Sequence, residues 1–116
     1  MVAYLREMGS LGRLIVVNNG NREIGWVTFF LLESVDQADA AHERPMWSTF
    51  IDCPQGRVIY IDKMVCGAWD KELRILFQRE VLKQFPELET AVWFRASQTG
   101  PDHKVVRRIQ CHRLIA

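Results

Sequence analysis

Hydrophobic and polar positions divide the chain into segments of different period. From Glu23 to Glu33 the run Ile24-Gly25-Trp26-Val27-Thr28-Phe29-Phe30-Leu31-Leu32 is almost unbroken in its apolar character. A strand of that kind has no polar face to offer water, so it predicts a central strand covered on both sides. Arg57 to Cys66 is a second strand, rich in β-branched residues. The period then changes. Between about Asp70 and Phe85, the residues Leu73, Leu76, Phe77, Val81 and Phe85 recur at spacings of three and four. This predicts an amphipathic helix with one buried stripe, with Asp70 as N-cap and Pro86 as its stop. A further strand follows at Thr90 to Arg95. Residues 57 to 95 therefore read as one β-α-β unit. Parallel strands joined by a helical crossover leave a crevice at the carboxyl end of the first strand.

The segments before and after this unit are shorter. Residues 2 to 9 suit a short helix closed by Gly9, and Arg13 to Val17 a short strand. Asn18-Asn19-Gly20-Asn21 is a strong turn, because Asn and Gly tolerate positive φ. Residues 34 to 45 are polar and suit either a loop or a short helix. Met46 to Asp52 and Arg57 to Cys66 read as a hairpin over Cys53-Pro54-Gln55-Gly56, and Lys104 to Ile115 as a last strand. The expected architecture is α+β: a mixed sheet of about six strands, antiparallel hairpins first and the β-α-β unit after, in one domain spanning 1–116.

Composition narrows the function classes. With 48% hydrophobic and 25% charged residues, the chain has the make-up of an ordinary globular domain. A net charge of +1 creates no global field favouring nucleic acid or an anionic membrane. No apolar run is long enough to span a bilayer, and Met1 to Glu7 lacks a basic-then-apolar signal sequence. Cys53, Cys66 and Cys111 are odd in number and without metal-like spacing, so a reduced, cytoplasmic setting and no metal are expected. There is no phosphate-binding Walker loop, dinucleotide fingerprint or nucleophile elbow.

The order hairpin, hairpin, β-α-β, final strand resembles the Gcn5-related N-acyltransferase superfamily. Gly25-Trp26-Val27-Thr28-Phe29-Phe30, after Glu23-Ile24, is similar to one of that family's strands. Tyr60-Ile61-Asp62-Lys63-Met64-Val65 is similar to its cofactor-lining strand. The resemblance implies that the strands on either side of the central helix splay apart and that acyl-CoA lies in the gap. Where the family has a glycine-rich loop, this chain reads Gly67-Ala68-Trp69-Asp70-Lys71-Glu72-Leu73-Arg74, with a single glycine. Toxin-activating lysine acyltransferases also lack that loop. They carry an Asp in a strand resembling Ile61 to Gly67, and their downstream layout is similar to Phe85-Pro86 and Arg95. Their catalytic His lies near the N-terminus, whereas no His precedes His42 here.

The resemblance implies transfer of an acyl group from a thioester carrier, acyl-CoA or acyl-carrier protein, to an amine. Asp62 would be the base, Met64 and Val65 would line the acyl chain, and Lys71 and Arg74 would meet the carrier's phosphates. The residues themselves leave alternatives open. A partly buried Asp62 would have a raised pKa suited to base catalysis, or it would sit at the surface or pair with an Arg. Trp69 would stack on a ligand or staple the helix start. His42, in the polar segment, would act on protons only if it closed over the crevice. The basic run Lys104, Arg107, Arg108, His112 and Arg113 suits a strand showing a basic face to phosphates or, as the default, a solvated edge strand protected by charge. The rival function is a non-catalytic domain that binds a protein partner. The two-faced apolar pattern of Trp26 to Leu32 further suggests a homodimer, unless residues 1 to 9 and 34 to 45 fold back to cover the sheet.

Overall fold

Strands follow one another across the sheet in chain order: β1 (Leu14–Asn19), β2 (Arg22–Leu32), β3 (Val58–Cys66), β4 (Thr90–Arg95) and β5 (His103–Arg108). The structure is a computed structural model that describes residues 2–44, 53–66 and 70–109. Neighbouring strands are antiparallel except β3 and β4, which are parallel. Helix α3 (Asp70–Gln84) makes the crossover between those two, as the period change in the sequence predicts. Helices α1 (Val2–Ser10) and α2 (Gln37–Glu43) complete an α+β fold with five strands and three helices among the described residues. The expected strand at Met46 to Asp52 lies outside the described residues, as does the last strand beyond residue 109. Within the described chain, β3 has β2 along one edge and β4 along the other.

β2 organises the core because both of its faces are buried. Val27, Phe29 and Leu31 pack with Leu73, Phe77 and Val81 of α3. Phe30 and Leu32 point the opposite way, towards Met8 of α1 and Ala38 and Ala41 of α2. The two alanines let α2 lie close to the sheet, and residues 34–45, open between loop and helix in the sequence, contain this short helix. The expected homodimer rested on an uncovered sheet face. The sheet face that would need a second copy is covered by α1 and α2 of the same chain. No helix among the described residues is long and apolar enough to cross a membrane.

Gly20 and Gly56 are each required by the backbone. Gly20 closes the β1–β2 hairpin at φ 65°, the left-handed region that an L side chain avoids. Gly56 brings the chain against the end of β2, where a Cβ would lie 2.2 Å from the carbonyl oxygen of Leu32 and 2.6 Å from its carbon. Those atoms belong to the backbone and cannot rotate away. Gly56→Ala is expected to destabilise the protein by about 1–3 kcal/mol, as overpacked substitutions do. Denaturant melts check it, and an unchanged midpoint would show that the backbone yields freely here.

The feature that positions a site is the brevity of the parallel pairing. β3 and β4 are in register only over Val58–Tyr60 and Thr90–Val92. Beyond Tyr60 and Val92 the two strands run on without pairing to each other, and they form a fork.

Candidate functional site

On the α3 face of the fork lies a cleft of about 350 Å³. Its floor is apolar: Ile59, Ile61 and Met64 come from β3, and Ala91 and Trp93 from β4. Strand alternation puts Ile59 with Ile61 and Ala91 with Trp93 on one face, and Met64 joins them because the register of β3 shifts by one residue between Ile61 and Lys63. The wall is α3, which presents Arg74, Phe77, Gln78 and Val81 at helical spacings of three and four. Arg95 at the end of β4 and Arg107 on β5 complete the rim. Arg107 lies opposite Ala91 in the antiparallel ladder, and its guanidinium is 6.0 Å from the centre of the Trp93 ring. Among the described residues, three arginines and no acidic residue line the cleft.

On the opposite face lies a polar network. Thr28 pairs with Lys63 and Phe29 with Ile61, so Asp62 is an extra residue in β3. Such bulges re-aim a side chain and often lie next to active sites. Here the bulge sends the Asp62 carboxylate inward, where its side chain is only 8% exposed. Arg44, which ends α2, grips it with two nitrogens: Nη2 donates to Oδ2 at 2.9 Å and Nη1 to Oδ1 at 3.2 Å. Nη1 of Arg44 also donates to the Ala41 carbonyl at 2.6 Å, and the guanidinium lies 4.9 Å from the centre of the Phe30 ring. The Tyr4 hydroxyl of α1 donates to Oδ2 of Asp62. With its proton spent there, it accepts from the buried Thr28 hydroxyl at 2.7 Å.

Of the alternatives that the sequence leaves open for Asp62, the structure holds the pairing with an Arg and not the raised pKa. Burial by itself raises the pKa of Asp62, but the hydrogen bonds from Arg44 and Tyr4 and the charges of Arg44 and Lys63 outweigh it. The carboxyl is held below the usual carboxylate range, not above it. Burial and the bond to Asp62 push the Tyr4 phenol up, so it stays a neutral donor. The Tyr60 phenol is pushed up as well, by burial and by the Asp62 charge.

His42 stands over the fork. Its ring stacks on Phe94 of β4, with centroids 3.9 Å apart and planes 6° from parallel. Nδ1 faces the Tyr60 hydroxyl of β3 at 3.5 Å, and Nε2 meets Oδ2 of Asp102 at 3.0 Å. A second tie, Lys104 Nζ to Oδ2 of Asp39 at 3.2 Å, holds α2 to β5. The histidine thus meets β3 at the last residue paired to β4, and β4 two residues beyond its last pair.

The residues expected from the sequence fall into separate places. Met64 and Arg74 line the cleft, while Asp62 belongs to the network on the other face. Val65 is 47% exposed and does not line the cleft. Trp69 lies outside the described residues, and so does the side chain of Lys71. Tyr4 and Arg44 were not legible as partners of Asp62, because each reaches it across the fold. Arg95 and Arg107 were more accessible: alternation from Ala91 through Trp93 puts Arg95 on the α3 face. Among the described residues, no group of three His, Cys, Asp or Glu side chains is placed to hold a metal ion. The chain matches no family model and no curated protein.

Proposed function

We propose that this chain is an N-acyltransferase-like domain with the Gcn5-related arrangement, moving an acyl group from a thioester carrier to an amine. The observation that carries this reading is the fork, with an apolar, arginine-rimmed cleft on one face and His42 on the other. A carrier's arm would lie in the cleft, between β3 and β4 and against α3. Its thioester would reach the fork, where an amine nitrogen attacks the carbonyl carbon and the carbon–sulfur bond breaks. The amine sheds a proton and the departing thiolate gains one. In this reading His42, oriented by Asp102, would mediate that transfer, a role typically contributing about 10²–10⁴-fold. Asp62 then acts as a positioning residue, an ionised anchor for Arg44 and Tyr4.

One observation favours a second reading, a non-catalytic domain that uses its crevice to bind a partner. The carboxylate that the resemblance nominates as base is already bonded to Arg44 and Tyr4. Isothermal titration with acetyl-CoA and, separately, with an acyl-carrier protein distinguishes the two. Saturable binding of either is expected. Where a donor binds, His42→Ala should slow amide formation while leaving donor affinity within twofold. Absence of binding by both at millimolar concentration leaves only the second reading.

A further inference from the structure

From the outer edge of β1 we infer a second copy of this chain as partner: two β1 strands pair antiparallel about a two-fold axis and join the sheets edge to edge. The inference goes beyond the acyltransfer reading and does not rest on it. It also differs from a dimer through a sheet face, because helices cover both faces of β2, whereas β1 has a strand on one side only among the described residues. The two outer strands differ in kind. β5 carries His103, Lys104, Arg107 and Arg108 around two valines, and charge of that density discourages pairing with another chain. β1 is Leu14-Ile15-Val16-Val17-Asn18-Asn19, without a charge or a proline and with three β-branched residues in succession. Nothing in it guards the edge.

The main chain shows which groups face out. The Phe29 N–H donates to the Arg13 carbonyl at 3.1 Å, so by alternation Arg13, Ile15 and Val17 bond towards β2. Leu14 and Val16 turn their N–H and C=O groups outward, where no other described strand meets them. A groove of about 510 Å³ runs along this edge. Five consecutive residues, Leu14 to Asn18, line it, so it follows the backbone and not one face of the strand. Its other wall is α3, with Arg79, Glu80 and Lys83. Paired strands lie about 4.8 Å apart, which places an added strand in this groove.

The charge of the wall selects the occupant. It carries both signs, with Glu80 3.9 Å from Lys83 and Arg79 beside them. A two-fold axis sets a surface against itself, so Glu80 of each copy gains the cations of the other. A partner strand of a single sign would meet a like charge. With the axis at Val16, that residue lies opposite its counterpart and Leu14 opposite Asn18. Val16 is 48% exposed, and the pairing covers it.

Light scattering from micromolar to millimolar concentration reads the association. The mass is expected to rise from 13.5 kDa towards twice that value, while amide exchange at Leu14 and Val16 slows with concentration. Val16→Pro removes an outward donor and leaves the bonds to β2 in place, a change that edge strands accept. It should weaken association on the order of tenfold or more. Val106→Pro is the matched control. The Ile109 N–H donates to the Glu89 carbonyl at 2.7 Å, so Val106 likewise faces outward, on the β5 edge, and its substitution should leave association unchanged. Glu80→Lys makes the α3 wall wholly basic and should weaken association most at low salt. Glu80 is exposed, so this variant keeps the test decisive if circular dichroism shows Val16→Pro unfolded. A protein that stays monomeric at millimolar concentration overturns the inference. So does a dimer that persists undiminished in the folded Val16→Pro and Glu80→Lys variants, because it then uses another surface.

Discussion

Asp62→Ala is expected to destabilise the fold by about 3 kcal/mol at pH 7, in the range seen when one partner of a buried ion pair is removed. The reason is what remains behind. Arg44 keeps its charge, lies against Phe30 with its side chain only 18% exposed, and loses both of its carboxylate contacts. Tyr4 loses the acceptor for its proton as well. Removing both charges should cost less than the sum of the single changes, because Asp62→Ala with Arg44→Ala strands no ion. Urea melts of the two single variants and the double variant give the coupling directly. Additive losses would mean that the pair contributes nothing specific.

The same network fixes the acid limb of stability. The folded protein holds Asp62 below its ordinary pKa of 3.8, so the unfolded chain takes up the proton first as pH falls. The contribution is present in full above the unfolded pKa and is lost as pH drops through the folded one. Stability should therefore fall below about pH 4, and Asp62→Asn should flatten that part of the pH profile. An Asn variant with an unchanged acid limb would mean that the carboxyl has no depressed pKa in the fold.

The contrast between fold and site follows from where the information lies along the chain. The β-α-β unit was legible because Leu73, Phe77 and Val81 sit within one helix, and their spacing alone declares a buried stripe. The central place of β2 was legible because its apolar run admits no other environment. The Asp62 site depends on contacts between residues distant in sequence: Tyr4 lies 58 residues away, Arg44 18, and both are brought together by helices folding onto one sheet face. The bulge that turns Asp62 inward is a property of pairing between β2 and β3, which neither strand shows alone. For the same reason the direction of its pKa could not be read from an apolar neighbourhood. Ile61 and Met64 flank Asp62 in sequence but line the cleft on the other face.

Phe29→Ala is expected to be the other severe substitution, costing about 3–5 kcal/mol as large-to-small changes of buried aromatics do. Phe29 has no exposed surface and meets two rings edge-on, Phe77 of α3 and Phe85 beyond its end, each at 6.0 Å between centroids. The substitution therefore removes the contact that fixes α3 over β2, and with it the wall of the cleft. Two further variants separate this cause from a general effect of truncation. Ile75 lies on the same helix but is 42% exposed, so Ile75→Ala should shift stability by about 0.5 kcal/mol or less. Phe29→Leu refills most of the volume and should recover a large part of the loss, although no ring remains to meet Phe77 and Phe85. Guanidinium melts of the three variants decide the matter. If Phe29→Ala and Ile75→Ala cost the same, the burial that organises both the core and the cleft is wrong.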